Sequence, residues 1–239
     1  VSVFYPNRVW RNHYTHLTGT TRIRCVTPDA PYGFRGSHRW LREVCETLDL
    51  PPERADDAFG TLAAPLLPEW EGLVSEARQY QIALVVRAEE TEHLTDPSTT
   101  WGVPLISFLE EAGFGLDILL KVRERRKARE SAEAIVRRIE HPERHLVKGF
   151  HDFETLRQRL RESEAQAALS YHYFDWRLSE AGKNRFSLQV FEMGLPGAIR
   201  TLRRLLNVCR TPFYRRYRDY LARTPEGKRL RIGGLDGGG

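Results

Sequence analysis

PYGFRGSHRWLREVCETLDL, from Pro31 to Leu50, is a Pro/Gly turn that runs into an amphipathic helix. Ser37 is placed to cap that helix, and Trp40, Leu41, Val44, Cys45 and Leu48 recur at helical spacing as its inward face. A short apolar strand, Arg22–Val26, precedes the turn. Strand, glycine turn and helix in that order are how open α/β sheets build a ligand crevice. The same alternation continues to about Arg223, so the fold class is α/β: Rossmann-like parallel sheets flanked by helices.

Outward from that segment, strands are expected at Gln81–Val86, Leu116–Leu120, Ala165–Tyr171 and Phe186–Phe191. Ile82-Ala-Leu-Val-Val86 is continuously apolar, as for a parallel strand covered on both faces. Helices fall between them. One is capped by Thr99 or Thr100, has Pro104 in its first turn and ends at Gly113. One follows Asp152 with Phe153, Leu156 and Leu160. One holds Phe174, Leu178 and Ala181. One starts at Pro196 with Ile199, Leu202, Leu205, Leu206 and Cys209 inward and breaks at Pro212. Val122–Glu140 is a charged helical run with a thin stripe of Ala132, Ile135, Val136 and Ile139. Pro51–Tyr80 reads as helix interrupted by Gly60, Pro65, Pro68 and Gly72 and separates two units. The expected domains are therefore a partial Rossmann-like unit plus helical connection at 1–79, a Rossmann-like α/β domain at 80–223, and a basic, then glycine-rich, disordered tail at 224–239.

Composition narrows the class. Of 239 residues, 41% are apolar and 10% aromatic, enough for a real core, while 29% charged residues make a solvated surface. Apolar runs stop at about five residues, far short of a membrane span. Three cysteines, Cys25, Cys45 and Cys209, with no C-x-x-C, point to a reduced, cytoplasmic setting and to buried thiols. The chain opens without Met inside structured-looking sequence, which we read as a fragment or a processed chain. Net charge is +5, with the excess in Arg200, Arg203, Arg204, Arg210, Arg215, Arg216, Arg218, Arg223, Lys228, Arg229 and Arg231. Such a helix can bind nucleic acid or an acidic protein partner, or simply be a solvated face.

No G-x-x-x-x-G-K-[ST], G-x-G-x-x-G or G-x-S-x-G occurs, so a P-loop, a dinucleotide fingerprint and a nucleophile elbow are excluded. His13 and His16, and His141 and His145 around Pro142, lack metal-ligand context. Tyr171-His172-Tyr173 is better placed, beyond the carboxyl end of a predicted parallel strand. There His172 and Tyr173 can exchange protons or donate hydrogen bonds, or the aromatics can pack on the neighbouring helix. The loop Phe191-Glu192-Met193-Gly194-Leu195-Pro196-Gly197 enters a helix N-terminus that favours an anion; Glu192, Gly194 and Gly197 are its candidate cofactor-binding residues, the alternative being a glycine-assisted turn.

These segments together resemble the nitrogenase component 1 superfamily: nitrogenase catalytic subunits, their cofactor-assembly relatives and the dark-operative protochlorophyllide and chlorophyllide reductases. Pro31–Leu50 resembles a turn–helix of that family; Gln81–Val86, Val103–Gly113, Gly149–Leu160, Leu169–His172 and Phe191–Asn207 resemble, in order, segments of its last Rossmann-like domain. The resemblance covers most of residues 20–223. It implies a subunit of a two-component reductase that pairs with a homologous second subunit as α2β2. A separate ATP-hydrolysing iron–sulfur protein would supply electrons for reduction of a bound substrate. The full complex would hold an iron–sulfur or related metal cluster. The resemblance does not reach the family's first domain, whose cysteines hold the inter-subunit cluster, and near the expected cofactor histidine stand Ser187, Leu188 and Gln189. No metal ligand is assigned to this chain. A reductase subunit or a cofactor scaffold is implied; the alternative is a non-enzymatic module using the basic C-terminal helix.

Overall fold

The computed structural model describes residues 1–20, 23–171 and 176–221, without the side chains of 176 and 218–221. A first unit comprises β1 (Ser2–Val3), α1 (Arg11–Thr20), β2 (Cys25–Val26) and α2 (Gly33–Thr47), with β1 and β2 paired in parallel. Two helices follow, α3 (Pro52–Ala63) and α4 (Leu67–Ala77). Each has proline in its first turn, where the missing N–H costs nothing. Gly60 and Gly72 do not break these helices; they sit inside them with open space around their Cα atoms.

The second unit runs β3 (Gln81–Arg87), α5 (Glu92–Thr95), α6 (Leu105–Glu111), β4 (Gly115–Lys121), α7 (Arg125–Val136), β5 (His145–Phe150), α8 (Phe153–Glu162), β6 (Ala167–Ser170), α9 (Trp176–Glu180), β7 (Asn184–Arg185), α10 (Leu195–Arg210) and α11 (Phe213–Leu221). Its five strands are all parallel, in the order β5-β4-β3-β6-β7. The chain starts in the middle, steps outward to one edge, then returns and steps outward to the other. That is doubly wound topology, with its switch point between β3 and β6.

Alternation along β3 shows why the sheet is covered on both sides. Ile82, Leu84 and Val86 join a large core with Phe108, Phe114, Leu202 and Leu205. Ala83 and Val85 join a smaller one with Leu119, Phe150, Leu156, Leu160 and Leu178. α10 buries Ile199, Leu202, Leu205, Leu206 and Cys209 as their spacing predicts, and Pro212 separates it from α11. An aromatic chain ties the units together. Phe34 of α2 stacks on Trp70 of α4 at 4.8 Å, Trp70 meets Phe108 of α6 edge-on at 6.5 Å, and Phe108 meets Phe191 at 5.3 Å.

Several expectations need correction. Phe186–Phe191 is not a strand: β7 is Asn184–Arg185, and Leu188–Val190 forms a 3-10 turn. Phe186 and Phe191 are an odd number of residues apart, yet both enter one core, so the chain must turn between them. β5 was not expected. It is an edge strand burying only His145 and Phe150, and Leu146 is 50% exposed, so no apolar run marks it. The first strand shrinks to Cys25–Val26. α7 spans only Arg125–Val136, and Val136 faces outward while Ile135 is fully buried. Pro104 is the N-cap of α6, and Thr99 and Thr100 belong to the preceding loop.

Candidate functional site

The switch point is built by the loop after β3 and the end of β6. Tyr171 donates its backbone N–H to Val85 O, and its Oη to His93 O at 3.0 Å. Its ring stacks on the His93 imidazole at 4.6 Å. Ser131 Oγ donates to Ala88 O at 2.7 Å, and Arg87 pairs with Glu90 at 3.3 Å, so the β3 loop is tied down at its root. Two buried nitrogens, Arg87 Nε and His93 Nδ1, find no hydrogen-bond partner among the described residues. Both stand by the carboxyl end of β3, the end at which doubly wound sheets bind their ligands. His172 and Tyr173 follow Tyr171 directly and lie outside the described residues.

Beyond this loop lie two neighbouring open cavities that share Asp96 in their linings. The larger, about 660 Å³, is lined by Arg8, Arg11, Tyr14, Thr15 and Thr18 from the α1 segment and by Glu92 and Ser98 from the β3 loop. Arg8 is committed to Glu92 by paired bonds of 2.8 and 2.9 Å. The smaller, about 270 Å³, lies between Gly36 and Arg39 of α2 and Leu94, Pro104, Ser107 and Arg138. Gly102 closes the joint: its φ is +83°, and a Cβ there would stand 2.7 Å from Ala30 Cβ.

The turn–helix that decides the fold does not leave its N-terminus open. Gly33 has φ +77°, and the Glu111 carboxylate from the end of α6 occupies the space its Cβ would fill. Glu111 Oε1 accepts the Arg35 N–H at 2.8 Å, so the orphan donors of α2 are capped across the joint. Burial pushes the Glu111 carboxyl up from its ordinary value, and the bond from Arg35 N–H pulls against that shift. Ser37 is not the cap; it lies in the second turn and donates to Gly33 O at 2.6 Å.

The 191–197 loop is bound into the same joint. Gly194, at φ +77°, precedes α10 and donates its N–H to Pro31 O at 2.7 Å. Gly197 lets the loop fold over its helix, since a Cβ there would meet Glu192 O at 2.8 Å. The Glu192 carboxylate bonds Arg200 at 2.6 Å and also pairs with Arg204, which holds its carboxyl below the ordinary value.

One buried pair escaped the sequence reading. Glu110 and His145 have side chains 0% and 1% exposed and meet at 2.9 Å. Leu116 N–H donates to His145 Nδ1 at 3.0 Å, so Nε2 carries the proton and donates to Glu110 Oε1. Glu110 also accepts from Glu140 N and His141 N. This network sits at the amino ends of β4 and β5, away from the crevice, and pins an edge strand. His141 is exposed, 3.7 Å from Glu143, so the two histidines do not converge. His13 and His16 are exposed on α1. Among the described residues no cluster of three His, Cys, Asp or Glu side chains is arranged to hold a metal. Burial pushes the Cys209 thiol up to about 12, and it is inert packing.

Four arginines of the basic C-terminal run, all on α10, pair within the fold. Arg200 and Arg204 share Glu192, Arg203 pairs with Glu69, and Arg210 with Glu76. No described helix is long and apolar enough to cross a membrane.

Against known proteins, no family model matches this sequence and no curated protein aligns with it. Solved structures do match. A chain of nitrogenase Cp1 at pH 5 superposes with a TM-score of 0.56 at 13% identity, over 90% of this chain and 48% of that one. A chain of nitrogenase Cp1 at pH 6.5 gives 0.49 at 16% identity, over 96% and 48%. The shared property is the fold. This chain spans about half the length of the nitrogenase chains it matches.

Proposed function

We propose that this chain forms part of a nitrogenase-like component 1 subunit, a reductase subunit or a cofactor-scaffold relative. The observation that carries the reading is the superposition of 90% of this chain on a nitrogenase Cp1 chain, with a TM-score of 0.56. The first unit also supports a larger assembly. Its two parallel strands leave Val1, Val3, Val9, Trp10, Leu17 and Ile23 exposed, and α1 buries no residue. A two-stranded parallel sheet is rarely stable on its own.

In this reading the substrate or cofactor lies in the crevice between α1 and the β3 loop. His172 and Tyr173, which follow β6 in sequence, are its candidate proton-exchanging or hydrogen-bonding groups, and His93 and Tyr171 position that strand end. Glu192, Gly194 and Gly197 set the cofactor-side loop against the Pro31 turn. The described residues present no ligand set for a metal cluster, so no step through a cluster is assigned to them. Clusters of the complex would be held elsewhere. A homologous second subunit in an α2β2 arrangement, an ATP-dependent iron–sulfur electron donor and a cytoplasmic location complete the proposal. Pairing of Arg200, Arg203, Arg204 and Arg210 within the fold leaves the nucleic-acid alternative with less support.

The test is anaerobic purification of the full complex with assay of iron, acid-labile sulfide and donor-dependent reduction. We expect a coloured complex whose turnover falls about a hundredfold or more in His172→Ala, the scale of a lost proton-transfer group. A colourless complex, inert with any iron–sulfur donor, would overturn the proposal.

A further inference from the structure

We propose that the smaller inter-unit cavity is a binding site for a small oxyanion, a carboxylate or phosphate group, held by Arg39 and Arg138. Arg39 comes from α2 in the first unit and Arg138 from the end of α7 in the second, and both line the same space of about 270 Å³. Several neighbouring arginines are spoken for: Arg8 by Glu92, Arg24 by Asp49, Arg35 by Glu140 and Arg42 by Asp56. Arg39 and Arg138 have no ion-pair partner among the described residues. A guanidinium only donates, in a planar fork that matches carboxylate or phosphate oxygens. Both residues are solvent-exposed and border the same space, each able to present its fork to an anion there.

The remaining lining is mixed and includes two carboxylates, Asp29 and Asp96, beside the two arginines. Asp96 spends a carboxylate oxygen on Ser98 N–H at 2.9 Å, capping its own turn. Thr95 Oγ1 donates to Thr91 O at 3.2 Å. Asp29 stands exposed at the rim. Leu94, Pro104 and Ile106 give apolar walls, and Ser107 adds a hydroxyl. The volume is below the usual range for drug-sized ligands, which confines the occupant to a compact anion. Because the arginines belong to different units, the ligand would clamp the joint and stabilise the folded chain by mass action. The site is separate from the larger crevice and stands whether or not the reductase reading holds.

Thermal unfolding and calorimetric titration of the full chain with sodium phosphate and with malonate, against sodium chloride at equal ionic strength, test this. We expect a saturable rise in Tm with at least one anion; which of the two saturates identifies the group recognised. Arg39→Ala and Arg138→Ala should each weaken binding by about tenfold or more, and Arg39→Lys should fall between, having charge without the fork. Arg126→Ala, which removes a cation paired with Glu130 on α7, should leave binding unchanged. No saturable effect beyond that of chloride, or one surviving in R39A/R138A, would overturn the proposal.

Discussion

Single residues at the joint and at the sheet's amino edge carry unusual weight. Glu110 accepts three donors in a dry site, so Glu110→Ala strands them together and should cost about 3 kcal/mol or more in urea unfolding. Burial holds the His145 imidazole below its ordinary value of 6.5, with Glu110 pulling the other way. The unfolded chain therefore takes up this proton more readily than the folded one. The stability from neutral His145 is complete above about pH 6.5 and is lost as pH falls below it. Unfolding free energies from pH 7.5 to 5 should decline, and the decline should be shallower in His145→Gln. Gly33 gives a second test. Gly33→Ala places a methyl into Glu111 and forces an L residue to φ +77°, which should cost about 2 kcal/mol or more. In Gly33→Ala/Glu111→Ala the steric part is relieved, so the double variant should lose less than the sum of the singles.

Elements with one clear apolar period were legible before any coordinates. β3, β4 and α10 lie where their patterns put them, because each is buried along a continuous run or stripe. Leu202→Ala in α10, fully buried, should cost about 2–5 kcal/mol by thermal or chemical unfolding. By contrast Arg210→Ala, which breaks a surface pair with Glu76, should cost under about 1 kcal/mol. What stayed hidden depends on partners distant in sequence. β5 is an edge strand with a polar first residue, so its identity rests on β4 and Glu110. Ser37 looked like the cap because the residue that caps α2, Glu111, lies 76 positions away. Arginines of α10 read as a basic face because Glu69 and Glu76, which neutralise two of them, stand on α4. At the candidate site, Tyr171 was legible by its place after β6, whereas the 191–197 loop was read from a strand at 186–191 that is in fact β7 followed by a 3-10 turn. The His93–Tyr171 stack was not, since His93 follows β3 and Tyr171 follows β6.

At the scale of the molecule, two units share one aromatic joint. Phe34→Ala should cost about 3–5 kcal/mol and expose the 51–79 connection, seen as faster proteolysis there than in the wild-type chain. The same joint frames the crevice and the proposed oxyanion cavity, so loosening it should weaken both. The central claim, a place within a nitrogenase-like component 1 assembly, is met most directly by electron cryomicroscopy of the complex purified anaerobically with this chain. The account predicts a homologous second subunit related by a pseudo-twofold axis, with iron-containing density elsewhere in the complex. A chain found alone, or bound only to unrelated partners with no such density, would contradict it.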